Sequence, residues 1–224
     1  MTSNTDVMLS LTEENYLKAI YHLSEAGTKS VLTNALAEAM NTKAASVTDM
    51  IKKLSQKEVI TYEKYYGVNV TGTGKTEALQ VIRKHRLWET FLVQTLGFNW
   101  DEVHEVAEQL EHIHSARLID KLDQFLGHPK VDPHGDPIPD GKGKIKAQPQ
   151  APLDLLKEGY EGTILAVKDS DSNLLKYLDK IGAKPGKKIK VTGKEEYDES
   201  MEVQIGDKKI FISREVSKNI LVTQ

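Results

Sequence analysis

Apolar residues recur at helical spacing almost from the start of the chain. Tyr16, Leu17, Ile20 and Leu23 follow Ser10 and Glu13, whose spacing is that of a capping box, and predict a first helix. A short second helix is predicted over 33–40. After Asn41 and Thr42, a third places Val47, Met50, Ile51 and Leu54 at i, i+3, i+4 and i+7. Asn41 suits the turn between these two, because asparagine tolerates the left-handed backbone that tight interhelical turns often need. Two extended runs, 59–63 and 68–71, are joined around Tyr66-Gly67 in the manner of a hairpin. Helix, turn, helix, hairpin is the order of a winged helix-turn-helix.

A long helix over 75–96 puts Ala78, Ile82, His85, Glu89 and Leu92 on one stripe, and another opens at Asn99, with Glu102 as capping partner, and runs on to His112. Then the pattern changes. Six of the seven prolines lie between Pro129 and Pro152, beside Gly135, Gly141 and Gly143, which is the composition of an irregular connector. After it come short alternating runs, 162–168, 187–192 and 201–205, of a small β-barrel or sheet domain. The expected fold class is mainly α with α+β parts. A winged helix-turn-helix occupies 1–74, a helical domain 75–140, a linker 141–152 and the β domain 153–224.

With 224 residues and 39% hydrophobic content the chain can bury a real core. No stretch approaches the roughly 18 apolar residues of a membrane span, and the first residues lack the order of a signal peptide, so a cytoplasmic protein is expected. A net charge of -3 gives no global sign of nucleic acid. Locally the third helix differs: Lys43, Ala45, Ser46, Thr48, Asp49, Lys52 and Lys53, with Lys64 of the wing, form a basic, hydrogen-bonding face. Its lysines suit phosphates, while Ser46, Asp49 and the small Ala44 and Ala45 let a helix approach base edges. By charge alone such a face is an ordinary solvated surface; the hairpin that follows directly favours DNA. Thr71-Gly-Thr-Gly-Lys-Thr76 ends like a phosphate-binding loop, but Asn69 stands where its first glycine belongs. These residues read as a turn, with Thr71 or Thr73 capping the next helix.

There is no cysteine, so any metal must be held by imidazole, carboxylate, amide or backbone oxygen. His85 and Glu89 interrupt an inward apolar row at i, i+4, where unpaired burial is costly. His104, Glu108 and Glu111 share a face of the next helix, with His112 beside them. One such pair is usually a solvated ion pair. Three imidazoles and three carboxylates from two consecutive helices favour a metal centre. His114 reads as surface or a second-sphere group, and His22, His128 and His134 carry no assignment.

In these residues the chain resembles the diphtheria toxin repressor and manganese transport regulator family of metal-dependent repressors, over nearly its whole length. The resemblance is carried by Asn15-Tyr-Leu-Lys-Ala-Ile-Tyr21, Val70-Thr-Gly-Thr-Gly-Lys75, Arg83-Lys-His-Arg-Leu-Trp-Glu89, Val103-His-Glu-Val-Ala-Glu-Gln-Leu-Glu-His112 and Asp132-Pro-His-Gly-Asp-Pro-Ile-Pro139. It implies an SH3-like C-terminal β-barrel and a helical metal-binding and dimerisation region. It also implies a homodimer that binds palindromic double-stranded operator DNA and represses metal-uptake genes. By position, the primary metal site is Asn15, Glu108, Glu111 and His112, and the second His85, Glu89 and His104, completed in some relatives from the SH3-like domain, here by Asp171 or Asp169. Iron-type members carry Met and Cys at the Asn15 and Glu108 positions, and manganese-type members Asp and Glu. This chain pairs Glu108 with an amide, and Lys18 stands where some manganese regulators have another carboxylate. Mn(II) is the expected corepressor and Fe(II) the alternative, with up to two ions per subunit. Neither a membrane partner nor an organic substrate is expected. The rival reading is a dinuclear metalloenzyme, which needs open metal positions and a substrate pocket and leaves the basic helix and wing without a role. A third is a DNA-binding protein whose His/Glu cluster is structural.

Overall fold

Ser10 starts the first helix, α1 (Leu11–Leu23), through a complete capping box: its hydroxyl accepts the Glu13 N–H, and its own N–H donates to the Glu13 carboxylate at 2.7 Å. The computed structural model describes residues 8–146 and 148–224. α1 buries Tyr16, Leu17, Ile20 and Tyr21, whereas Leu23, expected on the same face, is the helix's last residue and is exposed. α2 (Thr33–Ala39) and α3 (Ala44–Gln56) complete a three-helix core around Leu17, Ile20, Leu36, Val47, Ile51 and Leu54. Asn41 takes the left-handed conformation, φ 45°, that the turn between α2 and α3 needs.

β1 (Ile60–Glu63) pairs antiparallel with β2 (Gly67–Val70), in register from Ile60↔Val70 to Glu63↔Gly67, and Val31 bridges to Val68. Thr71 then accepts the Gly74 N–H at 3.0 Å, so α4 (Gly72–Gln94) begins three residues earlier than the apolar pattern predicts. Gly74 is required by a close approach: a Cβ on it would lie 1.8 Å from the Val59 carbonyl oxygen.

The chain forms two compact units. The first comprises the stretch up to His85 together with 111–114 and 139–145. The second comprises 86–110, 115–138 and 146–224, so the division falls inside α4 and again just after α5 (Val103–Leu110). α5 is shorter than predicted at both ends. Asn99 and Glu102 close a turn ahead of it, joined by Glu102 N–H to Asn99 O at 3.1 Å and by their side chains. Glu111 and His112 lie beyond its last turn, because Ser115 already caps α6 (Ala116–Phe125) and the chain must change direction in between. In the first unit, Arg83 donates to the Pro139 carbonyl at 2.8 Å and Gln80 to that of Gly141 at 3.0 Å, while Ile145 packs against the three-helix core. The start of the expected linker is thereby seated on α4.

In the second unit the β domain is a six-stranded antiparallel sheet in the order β3-β8-β4-β5-β6-β7. Its strands are β3 (Gln150–Pro152), β4 (Glu161–Val167), β5 (Lys188–Lys194), β6 (Met201–Ile205), β7 (Lys208–Ile212) and β8 (Ile220–Thr223). Residues 161–163 of β4 pair with β5 and 164–167 with β8, the second ladder shifting register between Ile164 and Ala166. The expected barrel does not close. β3 and β7 share no ladder among the described residues, and three-residue β3 ends on Pro152, which has no N–H to donate. α7 (Ser172–Ile181), capped by Asp171 and stopped at left-handed Gly182, buries Leu175 and Leu178 in the sheet's core; the short α8 (Arg214–Ser217) precedes β8. Among the described residues no helix is long and apolar enough to cross a membrane.

Candidate metal centres and nucleic-acid interface

Glu111 is fully buried in the first unit and has both oxygens engaged. Oε1 lies 2.5 Å from the Lys18 ammonium, and Oε2 lies 2.5 Å from His85 Nδ1. Burial pushes its carboxyl up, but the His85 hydrogen bond and the charges of Lys18 and His85 hold it below the ordinary carboxylate value. Beside it, His112 places Nδ1 2.5 Å from Glu14 Oε2 and Nε2 3.7 Å from Glu111 Oε1. A proton on Nδ1 shared with Glu14 leaves the Nε2 lone pair facing Glu111, as in imidazoles that ligate metals with a carboxylate behind them. Glu14 Oε1 in turn is 3.3 Å from Lys84 and 3.9 Å from His114 Nδ1. Asn15, next to Glu14 on α1, is half-buried. Nitrogen and oxygen donors with no thiolate suit a hard or borderline divalent ion.

The second unit holds another donor group. Glu89, 2% exposed, has Oε1 3.5 Å from His104 Nδ1 and Oε2 3.6 Å from His134 Nδ1, and His104 Nε2 is 3.5 Å from Glu108. Glu89, Asp132 and His134 are all buried, each with a donor atom within 4.8 Å of the others. Sequence spacing assigns neither His134 nor Asp132 a donor role, although both stand in the Asp132–Pro139 motif. Their signal is two donors flanking a proline in Asp132-Pro-His134-Gly135, whose loop is held against β4. Val167 N–H donates to His134 O at 2.9 Å, and a Cβ on Gly135 would meet Leu165 O at 1.9 Å.

Electrostatics show what this group demands. Burial, then the charges of Glu89 and Asp136, push Asp132 up to about 7 despite Arg86 and His134. Burial alone would lower His134, but the hydrogen bond and charge of Glu89, with Asp132 and the Trp100 carbonyl, raise it to about 9. Two buried carboxyl groups thus favour positive charge beside them, which His134 and Arg86 are placed to supply. Its ring stacks on Trp100 at 5.8 Å, and Nε2 donates to the Trp100 carbonyl at 2.7 Å, leaving Nδ1 toward Glu89. Asp171 lies outside this group: it is exposed, and its carboxylate accepts the N–H groups of Asn173 and Leu174 to cap α7, while Asp169 accepts that of Asp171.

Lys43, Ala45, Ser46, Thr48, Asp49, Lys52 and Lys53 are all exposed, opposite the buried stripe of Val47, Ile51 and Leu54. Lys52 lies 3.2 Å from Asp49, and exposed Lys64 sits 5.1 Å over the Tyr65 ring at the tip of the wing. Lys57 is turned away, donating to Glu13 at 2.8 Å and to the Met8 carbonyl.

Residues 8–68 match the family described as iron dependent repressor, N-terminal DNA binding domain; residues 71–140 match its metal binding and dimerisation domain; residues 151–224 match the FeoA domain. The chain is 30% identical over 192 residues to the iron-dependent repressor IdeR of Mycobacterium leprae, covering 80% of this chain and 83% of that one. It is 33% identical over 119 residues to the HTH-type transcriptional regulator MntR of Oceanobacillus iheyensis, covering 53% and 80%. A solved manganese-dependent transcriptional repressor in complex with manganese superposes with a TM-score of 0.86 at 34% identity, over 95% of this chain and 99% of that one.

Proposed function

The chain belongs to the iron-dependent repressor family, and on that premise we propose that it is a Mn(II)-dependent repressor of metal-uptake genes, acting in the cytoplasm without catalysis. The observation that carries this reading is the pairing of buried Glu111 with the Nε2 edge of His112, inside the same unit as the winged helix. Asn15, Glu111 and His112 would form the primary site in this unit; Glu108, the fourth ligand by sequence position, lies in the other unit beside His104. Glu89 would anchor the second, either with His85 and His104 or with Asp132 and His134. The solved relatives described as ScaR carry Zn2+ or Cd2+, and SloR is described as a manganese regulator, so the family's sites accept several ions. An oxygen-rich, thiol-free donor set favours Mn(II) here, with Fe(II) the alternative; selectivity would rest on geometry and availability, since manganese is the weaker binder in the general order.

Bound there, the ion supplies positive charge and fixed ligand directions. Asn15 lies on α1, which packs against α2 and α3, so ligation from α1 and from Glu111 fixes the helix that carries the reading face. Metal and DNA must then favour each other reciprocally. A homodimer formed through 75–140 would present two α3 helices to a palindromic double-stranded operator, with 1–74 reading DNA and 153–224 appended after the 141–152 connection.

Fluorescence anisotropy with promoter duplexes tests this, using wild type and Glu111→Ala in chelator, Mn(II), Fe(II), Zn(II) or Co(II). Binding by wild type only with metal, lost in Glu111→Ala, is expected. Metal-independent binding would sink the sensor reading, and no binding under any condition would revive the metalloenzyme. Asn15→Asp should tighten Mn(II) activation; an unchanged or weaker response removes Asn15 from the ligand set.

A further inference from the structure

Lys18 stands on α1 one turn beyond Glu14 and Asn15. Its side chain is 15% exposed, and its ammonium nitrogen lies 2.5 Å from Oε1 of Glu111. The same oxygen faces His112 Nε2 at 3.7 Å, so the ammonium is seated at the edge of the donor pair assigned to the primary metal. The other oxygen of Glu111 is held by His85, and the carboxylate has no exposure to water. A buried carboxylate of this kind needs a positive partner, since an uncompensated charge in that place is severely destabilising. α1 itself provides that partner through Lys18.

We propose that Lys18 is a built-in counter-cation of the primary site, which neutralises Glu111 in the metal-free protein and must leave Oε1 for the metal to be held. The proposal rests on the reading of Glu111 and His112 as ligands. It makes Lys18 a determinant of metal affinity: the ion competes with an internal ammonium, not with water alone. A lysine suits this exchange. Its charge is a single point on a flexible four-carbon stem that can swing to solvent, whereas an arginine fork would grip a carboxylate through two bonds. Lys84 differs, because its carboxylate partner is Glu14, which backs His112 and need not be vacated.

The test is calorimetric titration of Mn(II) into full-length wild type, Lys18→Met, Lys18→Gln and Lys84→Met, with thermal unfolding of each in chelator and in Mn(II). Lys18→Met is expected to bind Mn(II) about tenfold or more tightly than wild type, the scale of losing one charge-assisted hydrogen bond. Its melting temperature should fall in chelator, and its rise on adding Mn(II) should exceed that of wild type. Lys18→Gln, which retains a donor without the charge, should tighten Mn(II) in the same direction, and Lys84→Met should not. Wild type that binds Mn(II) with either Lys18 variant folded and no tighter overturns the proposal and leaves the metal-sensor reading intact. Binding by the Lys18 variants but not by wild type supports the proposal, and binding by none of the proteins overturns both.

Discussion

Replacing Gly74 with alanine sets helix propensity against a backbone contact. In the interior of a helix the change ordinarily stabilises by about 0.5–1 kcal/mol. At this position the new Cβ would stand 1.8 Å from the Val59 carbonyl oxygen and 2.8 Å from its carbon, where real Cβ contacts essentially never fall below 3.0 Å. Both atoms are backbone, so no rotamer change relieves the overlap; the start of α4 must move away from the strand that follows α3. Overpacking of this kind costs roughly 1–3 kcal/mol. The same carbonyl accepts the Thr71 N–H at 3.1 Å, and weakening that bond adds about 0.5–1.5 kcal/mol. The net loss is about 1–3 kcal/mol, and at about 2–4 °C per kcal/mol for a chain of this size the melting temperature falls by roughly 2–12 °C. Gly72 is the matched control two residues earlier on α4, with nothing within 4 Å of its hypothetical Cβ. Circular-dichroism melts of the two variants decide the matter: Gly72→Ala should melt with or above wild type and Gly74→Ala well below it. Equal melting temperatures would refute the close-approach argument.

Three further outcomes are expected. Burial pushes Glu13 up, but bonds from Lys57 and from the Ser10 backbone and hydroxyl pull it below its ordinary 4.5. Its contribution is therefore present above that value and lost as the pH falls through the lowered one, so Glu13→Gln should flatten the acid fall of the urea midpoint. Glu14→Gln removes the carboxylate behind His112 and should weaken Mn(II) about 10- to 100-fold in calorimetry; unchanged affinity would mean that His112 is not oriented through Glu14. Lys53→Ala should lower the salt slope of DNA binding by about 1 with little change of sequence preference, whereas Asp49→Ala should alter base preference at constant slope; the reverse pattern in anisotropy titrations would exchange their roles.

The winged helix was legible because its determinants are local. The Ser10 capping box, the i, i+3, i+4, i+7 stripe of α3 and the left-handed Asn41 each act within a few residues. His85, Glu89, His104 and Glu108 were legible for the same reason, as donors one turn apart on helices. What escaped depends on partners distant in the chain. Glu14 meets His112 across 98 positions and Lys18 meets Glu111 across 93, and no periodicity records either. Asp132 and His134 lie in a proline loop, where neither helical nor strand spacing marks an inward side chain. α7 is masked in the sequence by the alternating strands on either side, although Leu174, Leu175, Leu178 and Ile181 lie between a capping Asp171 and Gly182. The barrel was over-read: strand alternation predicts a curled sheet, but closure is decided by how its two edges end.

The unit that carries the winged helix is assembled from three separated stretches, the last of them ending at residue 145. A ribosome adding about 5–20 residues per second needs roughly 3–12 s to pass from His85 to Ile145. For about the first 1–5 s of that interval the nascent reading head lacks Glu111 and His112, and to its end it lacks the Ile145 that packs on its core. Lys18 and Glu14 are waiting before their partners have been translated. On the proposed ligand set, a newborn copy would have no complete primary site until half of the protein has been made.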